Sequence, residues 1–173
     1  ASLACVMVGG LGGDAPGAAA VQVASFLAAN IVCRADYHLI HTIHINHVAT
    51  TTRGCRWLQS VVCQAFARNA PAILVCEINP KSGAFTKELL YEVAANALAI
   101  TVSGGHLECV GSADGNAPNG TGLEVRLMVE VGHAAARAGL TLEAANRMIN
   151  ALLAKYESVF DKPGGNPGQC IDK

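Results

Sequence analysis

Four short, almost uninterrupted apolar runs, each leading through a glycine-rich or polar turn into a helical pattern, constrain this 173-residue chain more than any other feature. The runs are Leu3 to Val8, Ile40 to Asn46, Ala72 to Cys76 and His106 to Val110. None is joined to the next by a tight hairpin signal. Strands buried on both faces read as continuous apolar runs rather than alternating ones, and parallel strands need helical crossovers. The pattern therefore predicts parallel βαβ units. Four such units make either a small open sheet or half of an eight-stranded barrel. An open sheet would leave two long apolar edges bare, which favours the half-barrel.

The helices have legible signals. Asp14 is placed to N-cap a helix beginning near Ala15-Pro16, and the stretch that follows is Ala-rich and apolar nearly all round, as expected between two layers. Residues 53–69 form the second helix, with Trp57, Val61, Val62, Ala65 and Phe66 at helical spacing. Residues 86–99 form the third, with Leu89, Leu90, Val93 and Leu98 as its inner stripe. A polar loop at 111–120 leads to a helix at 122–138. Thr141 then caps a last helix at 142–160. Residues 1–161 thus form four strand–helix units plus a final helix, and 162–173 an irregular tail that needs something to lie on.

Charged residues make up only 14% of the chain and the net charge is −1. So little charge predicts surface covered by a partner, by further chain or in a homo-oligomer. It also gives no electrostatic footprint for nucleic acid and no basic face for a membrane. No run reaching the length of a membrane span is expected, and no leader pattern stands at the start, so the reading is a soluble, unexported protein. Seven cysteines without a CxxC pair argue against a disulfide framework or zinc. Most are expected to be small buried hydrophobes in a reducing cytoplasm.

Chemistry is expected just past the C-terminal ends of the strands. Glu77 and Asn79 alternate at the end of the third strand, so both should point into the mouth, where a carboxylate can manage a proton or hold an ammonium. The alternative is that Glu77 only caps a loop. Gly9, Gly10, Gly12 and Gly13 form a loop that lets backbone approach a flat ligand closely; it matches no nucleotide fingerprint. Thr50-Thr51-Thr52-Arg53 offers hydroxyls and a guanidinium to an anion at a helix start, against the commoner outcome of an N-cap with a solvated arginine. His38, His41, His44 and His47 stand three apart; strand alternation would pair His38 with His44 and His41 with His47. No metal is expected there, since no further ligands complete a set.

The order VGGLGGDAPGAAAVQVAS, HINHVATTTR, NPKSGAFTKELLYE and SADGNAPNGTGLEVRLMVEV resembles the C-terminal part of monomethylamine:corrinoid methyltransferases. The likeness rests on the Gly9–Gly13 loop, on His44-Ile45 with Thr50, Thr52 and Arg53, on Pro80 and Gly83, and on the Gly122-Leu123-Glu124-x-Arg126 helix start. It implies the C-terminal half of a TIM (β/α)8 barrel that moves a methyl group from monomethylamine, or a similar methylated amine, to the cobalt of a corrinoid carried by a cognate partner protein. Glu77 and Asn79 would then steer the amine. The two glycine-rich loops, at 9–13 and Gly104-Gly105, would admit the macrocycle, with His44, Thr52 and Arg53 beside it. There are departures. The family's pyrrolysine lies outside this sequence, Glu77 and Asn79 stand where the family has a glutamine and a tyrosine, and an upstream family glutamate falls near Leu3. The alternative is a self-assembling half-barrel that binds a small ligand without catalysis.

Overall fold

The computed structural model describes residues 1–10, 12–111, 113 and 120–170. In chain order the elements are β1 (Ser2–Val8), α1 (Ala15–Cys33), β2 (Tyr37–His44), α2 (Arg53–Asn69), β3 (Ile73–Ile78), α3 (Lys87–Val102), β4 (His106–Val110), α4 (Gly122–Arg137) and α5 (Leu142–Tyr156), followed by a 3-10 turn, Glu157–Val159. The strands form one parallel sheet in the order β1-β2-β3-β4. Sequential neighbours joined by helical crossovers are what the four apolar runs require. Leu11, Asp114 and most of the 111–120 loop, and the last residues of the tail, lie outside the described residues.

One face of the sheet is covered. Val6 and Val8 from β1, Ile40 from β2, Leu74, Cys76 and Ile78 from β3 pack beneath Phe26, Leu58, Val62, Phe66 and Ile100 from the helices. The other face is open, because these side chains alternate with Leu3, Met7 and Ile73, which remain 59%, 48% and 51% exposed. The strands are therefore two-sided in sequence but one-sided in this chain.

Several expectations are corrected. The second strand begins at Tyr37 and ends at His44, two residues short of Asn46. The α1 helix is 19 residues long and apolar enough by length and composition to cross a membrane, where no run of that length was expected. It buries only one side, through Ala18, Ala19, Gln22 and Phe26, and leaves Val21, Leu27, Ile31 and Val32 exposed rather than sandwiched. The inner stripe of α2 is Cys55, Leu58, Val62, Cys63 and Phe66; Trp57 is displaced outward. Among the cysteines, only Cys55, Cys63 and Cys76 are buried; Cys5 and Cys33 are exposed, and Cys109 and Cys170 intermediate.

Capping follows the sequence closely. Asp14, Thr52, Thr86, Thr121 and Thr141 each accept from a backbone N–H in the first turn of the following helix. The tail finds its support on the loop between β3 and α3. Asn166 bridges Ser82, Gly83 N–H donates to Asn166 O at 2.7 Å, and Gln169 N–H donates to Ala84 O at 3.0 Å.

Candidate functional site

Register places the most reactive side chains in one row across the open face. Cys5 on β1 is the partner of His41 on β2. Ile40 pairs with Cys76, so the next step brings His41 beside Glu77 on β3. Beyond Cys76 the β3–β4 register shifts so that Ile78 pairs with Val110, which leaves Glu108 and Cys109 together opposite Glu77, with Cys109 alternating to this face. Parallel partners project to the same side, so the row reads Cys5, His41, Glu77, Cys109.

His41, Glu77 and Asn79 meet at the C-terminal end of this row. The His41 Nε2 atom lies 3.0 Å from Asn79 Nδ2 and 3.5 Å from Glu77 Oε2. His41 and Glu77 side chains are 24% and 21% exposed, so they are reachable but largely out of water. With a neutral imidazole protonated at Nδ1, Asn79 Nδ2–H donates to His41 Nε2. With a proton on Nε2, the ring donates towards Glu77 instead. Asn79 and Glu77 thus compete for the same ring nitrogen of His41. Gly111 makes room for it: a Cβ there would stand 1.7 Å from Asn79 Oδ1 and 3.3 Å from Glu77 Oε1. Glu77 also raises the thiol pKa of both flanking cysteines, secondary in each to burial, with Cys109 pushed up to about 11. Both thiols stay protonated at neutral pH.

The end of β3 is fixed from outside. Asn79 N–H donates to Thr50 Oγ at 2.8 Å and Thr50 N–H donates to Asn79 O at 2.9 Å. Glu92, buried on α3, accepts from Lys81 N–H at 2.8 Å, Ser82 N–H at 3.0 Å and the Thr51 hydroxyl. Burial raises its pKa and these donors oppose the rise. Tyr156 O–H donates to Thr51 O at 2.9 Å and accepts from Arg56 at 2.7 Å, tying α5 to the same loop.

A second feature of the mouth is a cleft of about 620 Å³ lined by Gly9, Gly13, His44, Thr52, Arg53 and Phe160, among others. Gly10 and Gly12 belong to the same turn, closed by Gly13 N–H to Gly10 O at 2.9 Å. At Gly13 no atom lies within 4 Å of where a Cβ would stand, so the backbone there is open to a flat group. The polar groups at the start of α2 are already engaged. Thr52 caps the helix, and Arg53 makes a bidentate pair with Glu157 at 3.1 Å for both bonds.

Two sequence-level assignments fail on geometry. Gly104 and Gly105 precede β4 and lie at the opposite, N-terminal end of the sheet, away from any mouth. Gly105 is small because a Cβ would meet Cys63 Sγ at 2.7 Å. His47 does not share a face with His41, because the strand ends at His44 and the chain turns. His47 stacks instead on His44, ring centroids 4.4 Å apart, and on Phe160 at 5.2 Å. His38 is buried against Phe26 in the helix layer. Among the described residues no three His, Cys, Asp or Glu side chains converge as a metal site. His41 and Gly111 were missed as site residues. Parallel register beside Glu77 is the signal that identifies His41, and it is visible only once strands are paired.

A family model for monomethylamine methyltransferase MtmB matches residues 3–172. Monomethylamine methyltransferase MtmB of Methanosarcina mazei is 30% identical over 168 residues, and MtmB1 of Methanosarcina barkeri (strain Fusaro) is 31% identical. Each alignment covers 95% of this chain and 36% of the relative, so the chain spans little more than a third of the length of the proteins it matches. The crystal structure of Methanosarcina barkeri MtmB superposes with a TM-score of 0.90 at 25% identity, covering 98% of this chain and 37% of that one. That of the hydroxylamine MtmB complex gives 0.88 at 24% identity. Four parallel βα units with one open face are part of that barrel, and the chain belongs to the monomethylamine methyltransferase MtmB family.

Proposed function

We propose that this protein serves methyl transfer from monomethylamine, or a similar small methylated amine, to the cobalt of a corrinoid held by a partner protein. The observation that carries the proposal is the meeting of His41, Glu77 and Asn79 at the C-terminal edge of the sheet, in a chain matched by the family along residues 3–172. Small alkylamines, like the lysine ammonium, are cations at neutral pH. Glu77 supplies the negative charge for such a cation, Asn79 a carbonyl to orient it, and His41 keeps both heads in place. With the His41 and Glu77 side chains 24% and 21% exposed, limited water strengthens these contacts. The corrinoid supplies the methyl-accepting cobalt. The open backbone at Gly13, with His44, Thr52 and Arg53 beside it, fits the approach of its flat ring, while Gly9, Gly10 and Gly12 pack against Ile45, Met7 and Ala18 and Gly104 and Gly105 take no part. Free thiols at Cys5, Cys33, Cys55, Cys63, Cys76 and Cys109 suit a reducing cytoplasm.

The test is the visible spectrum of a corrinoid protein mixed with this protein and monomethylamine. Cobalt methylation is expected when this chain is completed by the first half of a family barrel and not from the 173-residue chain alone, with a fall of about tenfold or more in the completed protein for Glu77→Gln or Asn79→Ala, as losing a charge-assisted contact implies. Unchanged rates in both variants sink the pocket assignment.

The exposed Leu3, Met7 and Ile73 favour a second reading. Two copies would close their open faces into an eight-stranded barrel that binds a small ligand without catalysis. A dimer mass without cobalt methylation would place that reading first.

A further inference from the structure

Arg56, at the end of the first turn of α2, is only 5% exposed, yet among the described residues no carboxylate forms an ion pair with it. Its bond within the chain runs from Nη1 to the Tyr156 hydroxyl at 2.7 Å. That hydroxyl donates its own proton to Thr51 O, so it offers the guanidinium a dipole and no charge. Glu157, the acid next along the chain, is held by Arg53 through both carboxylate oxygens. The first turn of α2 carries no acid either. A guanidinium has five N–H donors and keeps its charge, so burying one without a counter-charge works against folding. Burial holds its pKa below the usual arginine value, and the neighbouring charge of Arg53 adds to that.

The donors that Tyr156 does not use are not sealed inside protein. They open on a cleft of about 430 Å³ bounded by the start of α1, the first two turns of α2 and the middle of α5. No strand residue lines it, so it belongs to the helix layer and not to the mouth. Its lining carries one sign of charge: Arg53 and Arg56 contribute, and no Asp or Glu does among the described residues. Asn146 and Asn150, one turn apart on α5, add carboxamides, while Trp57 and Ile149 form an apolar wall. Since Glu157 already balances Arg53, the unbalanced charge in the cleft is that of Arg56.

We propose that this cleft binds a small anion whose carboxylate or phosphate head pairs with Arg56 and whose body rests on Trp57. The planar guanidinium fork matches two oxygens of such a head, and a buried site makes the pair stronger than it is in water. A role limited to tying α2 to α5 through Tyr156 would use one N–H and leave the charge uncompensated. The inference is independent of the reading under Proposed function, because it uses none of His41, Glu77 and Asn79.

The experiment titrates inorganic phosphate, and separately acetate, into this chain completed by the first half of a family barrel. Ionic strength is held constant with chloride. Calorimetry reads the affinity, and Trp57 fluorescence, isolated by subtracting a Trp57→Phe variant, reports entry into this cleft. Saturable binding with a Trp57 signal is expected for at least one anion. Tighter phosphate assigns a phosphate-bearing ligand, and tighter acetate a carboxylate-bearing one. Arg56→Met should weaken binding about tenfold or more, as removal of one partner of a buried charge pair does. Asn146→Asp, at an exposed helix position that leaves folding intact, should do the same by supplying the counter-charge from within. If Arg56→Met does not fold, Asn146→Asp decides alone. Saturation by neither anion overturns the site, as does binding without a Trp57 signal or binding that Asn146→Asp leaves unchanged.

Discussion

Gly111 is the residue on which the polar cluster most depends without itself being polar. A methyl group there would stand 1.7 Å from Asn79 Oδ1, so the carboxamide has to leave its place. Gly111→Ala should therefore lower methyl transfer by about tenfold or more while circular dichroism shows the fold retained, because the displaced groups face open space. A fully active Gly111→Ala would mean that Asn79 does not work from its observed position. His38 illustrates the opposite case, a histidine that is all structure. Its Nε2 donates to Asn30 Oδ1 at 2.8 Å and its Nδ1 accepts from the Ser2 hydroxyl at 2.6 Å, an arrangement suited to the neutral ring. Burial lowers its pKa from the ordinary 6.5. Below 6.5 the unfolded chain binds a proton that the folded chain refuses, so stability present above that pH is lost as pH falls through the lowered folded value. Denaturant titrations in neutral and mildly acid buffer should show this loss, and His38→Phe should reduce the slope. Four histidines at equal spacing in the sequence thus have four different surroundings, and only strand pairing and the turn after His44 tell them apart.

At the scale of elements, the helices carry their own instructions. Asp14, Thr52 and Thr141 cap where the side-chain chemistry predicts, since a cap bonds within one turn of its own position, and Thr86 caps the third helix rather than opening it. Contacts between elements were less legible. Gly105 reads as a loop glycine suited to a ligand, yet it packs against Cys63 of α2, Ile100 of α3 and Cys76 of β3, at the end remote from the mouth. Gly105→Ala should cost about 1–3 kcal/mol in unfolding free energy through overpacking against Cys63 and Ile100, with cobalt methylation unchanged in the folded fraction. Glu92 went unnoticed in an apolar helix stripe, although it clamps the Lys81–Ser82 backbone and Thr51. Glu92→Ala leaves those buried donors unpaired, and a loss of about 3 kcal/mol or more is expected in urea unfolding. A loss under about 1 kcal/mol would show that water replaces the carboxylate.

For the whole molecule, the decisive fact is that one face of the sheet is finished and the other is not. Leu3, Met7 and Ile73 stand exposed on the open face, and α1 leaves Val21, Leu27, Ile31 and Val32 uncovered on the outside. Burial of such side chains drives association at roughly 25 cal/mol per Å² of apolar area. Light scattering on the 173-residue chain should accordingly show oligomers or polydispersity rather than a stable monomer, and a monodisperse monomer would count against a half-barrel. The low charge content signalled covered surface from the start; which surface, only the assembled sheet reveals. The sequence by itself determined what depends on near neighbours along the chain: the strand–helix alternation, the parallel class, the caps, and Glu77 and Asn79 on one side of a strand. The tertiary structure alone decided what depends on register and on which end of the sheet a loop reaches. It set His41 between Glu77 and Asn79, packed Gly105 against Cys63 and Ile100, and laid the tail against the β3–α3 loop. Parallel pairing joins residues some thirty-six positions apart, Cys5 with His41 among them, and periodicity along the chain carries no record of that distance.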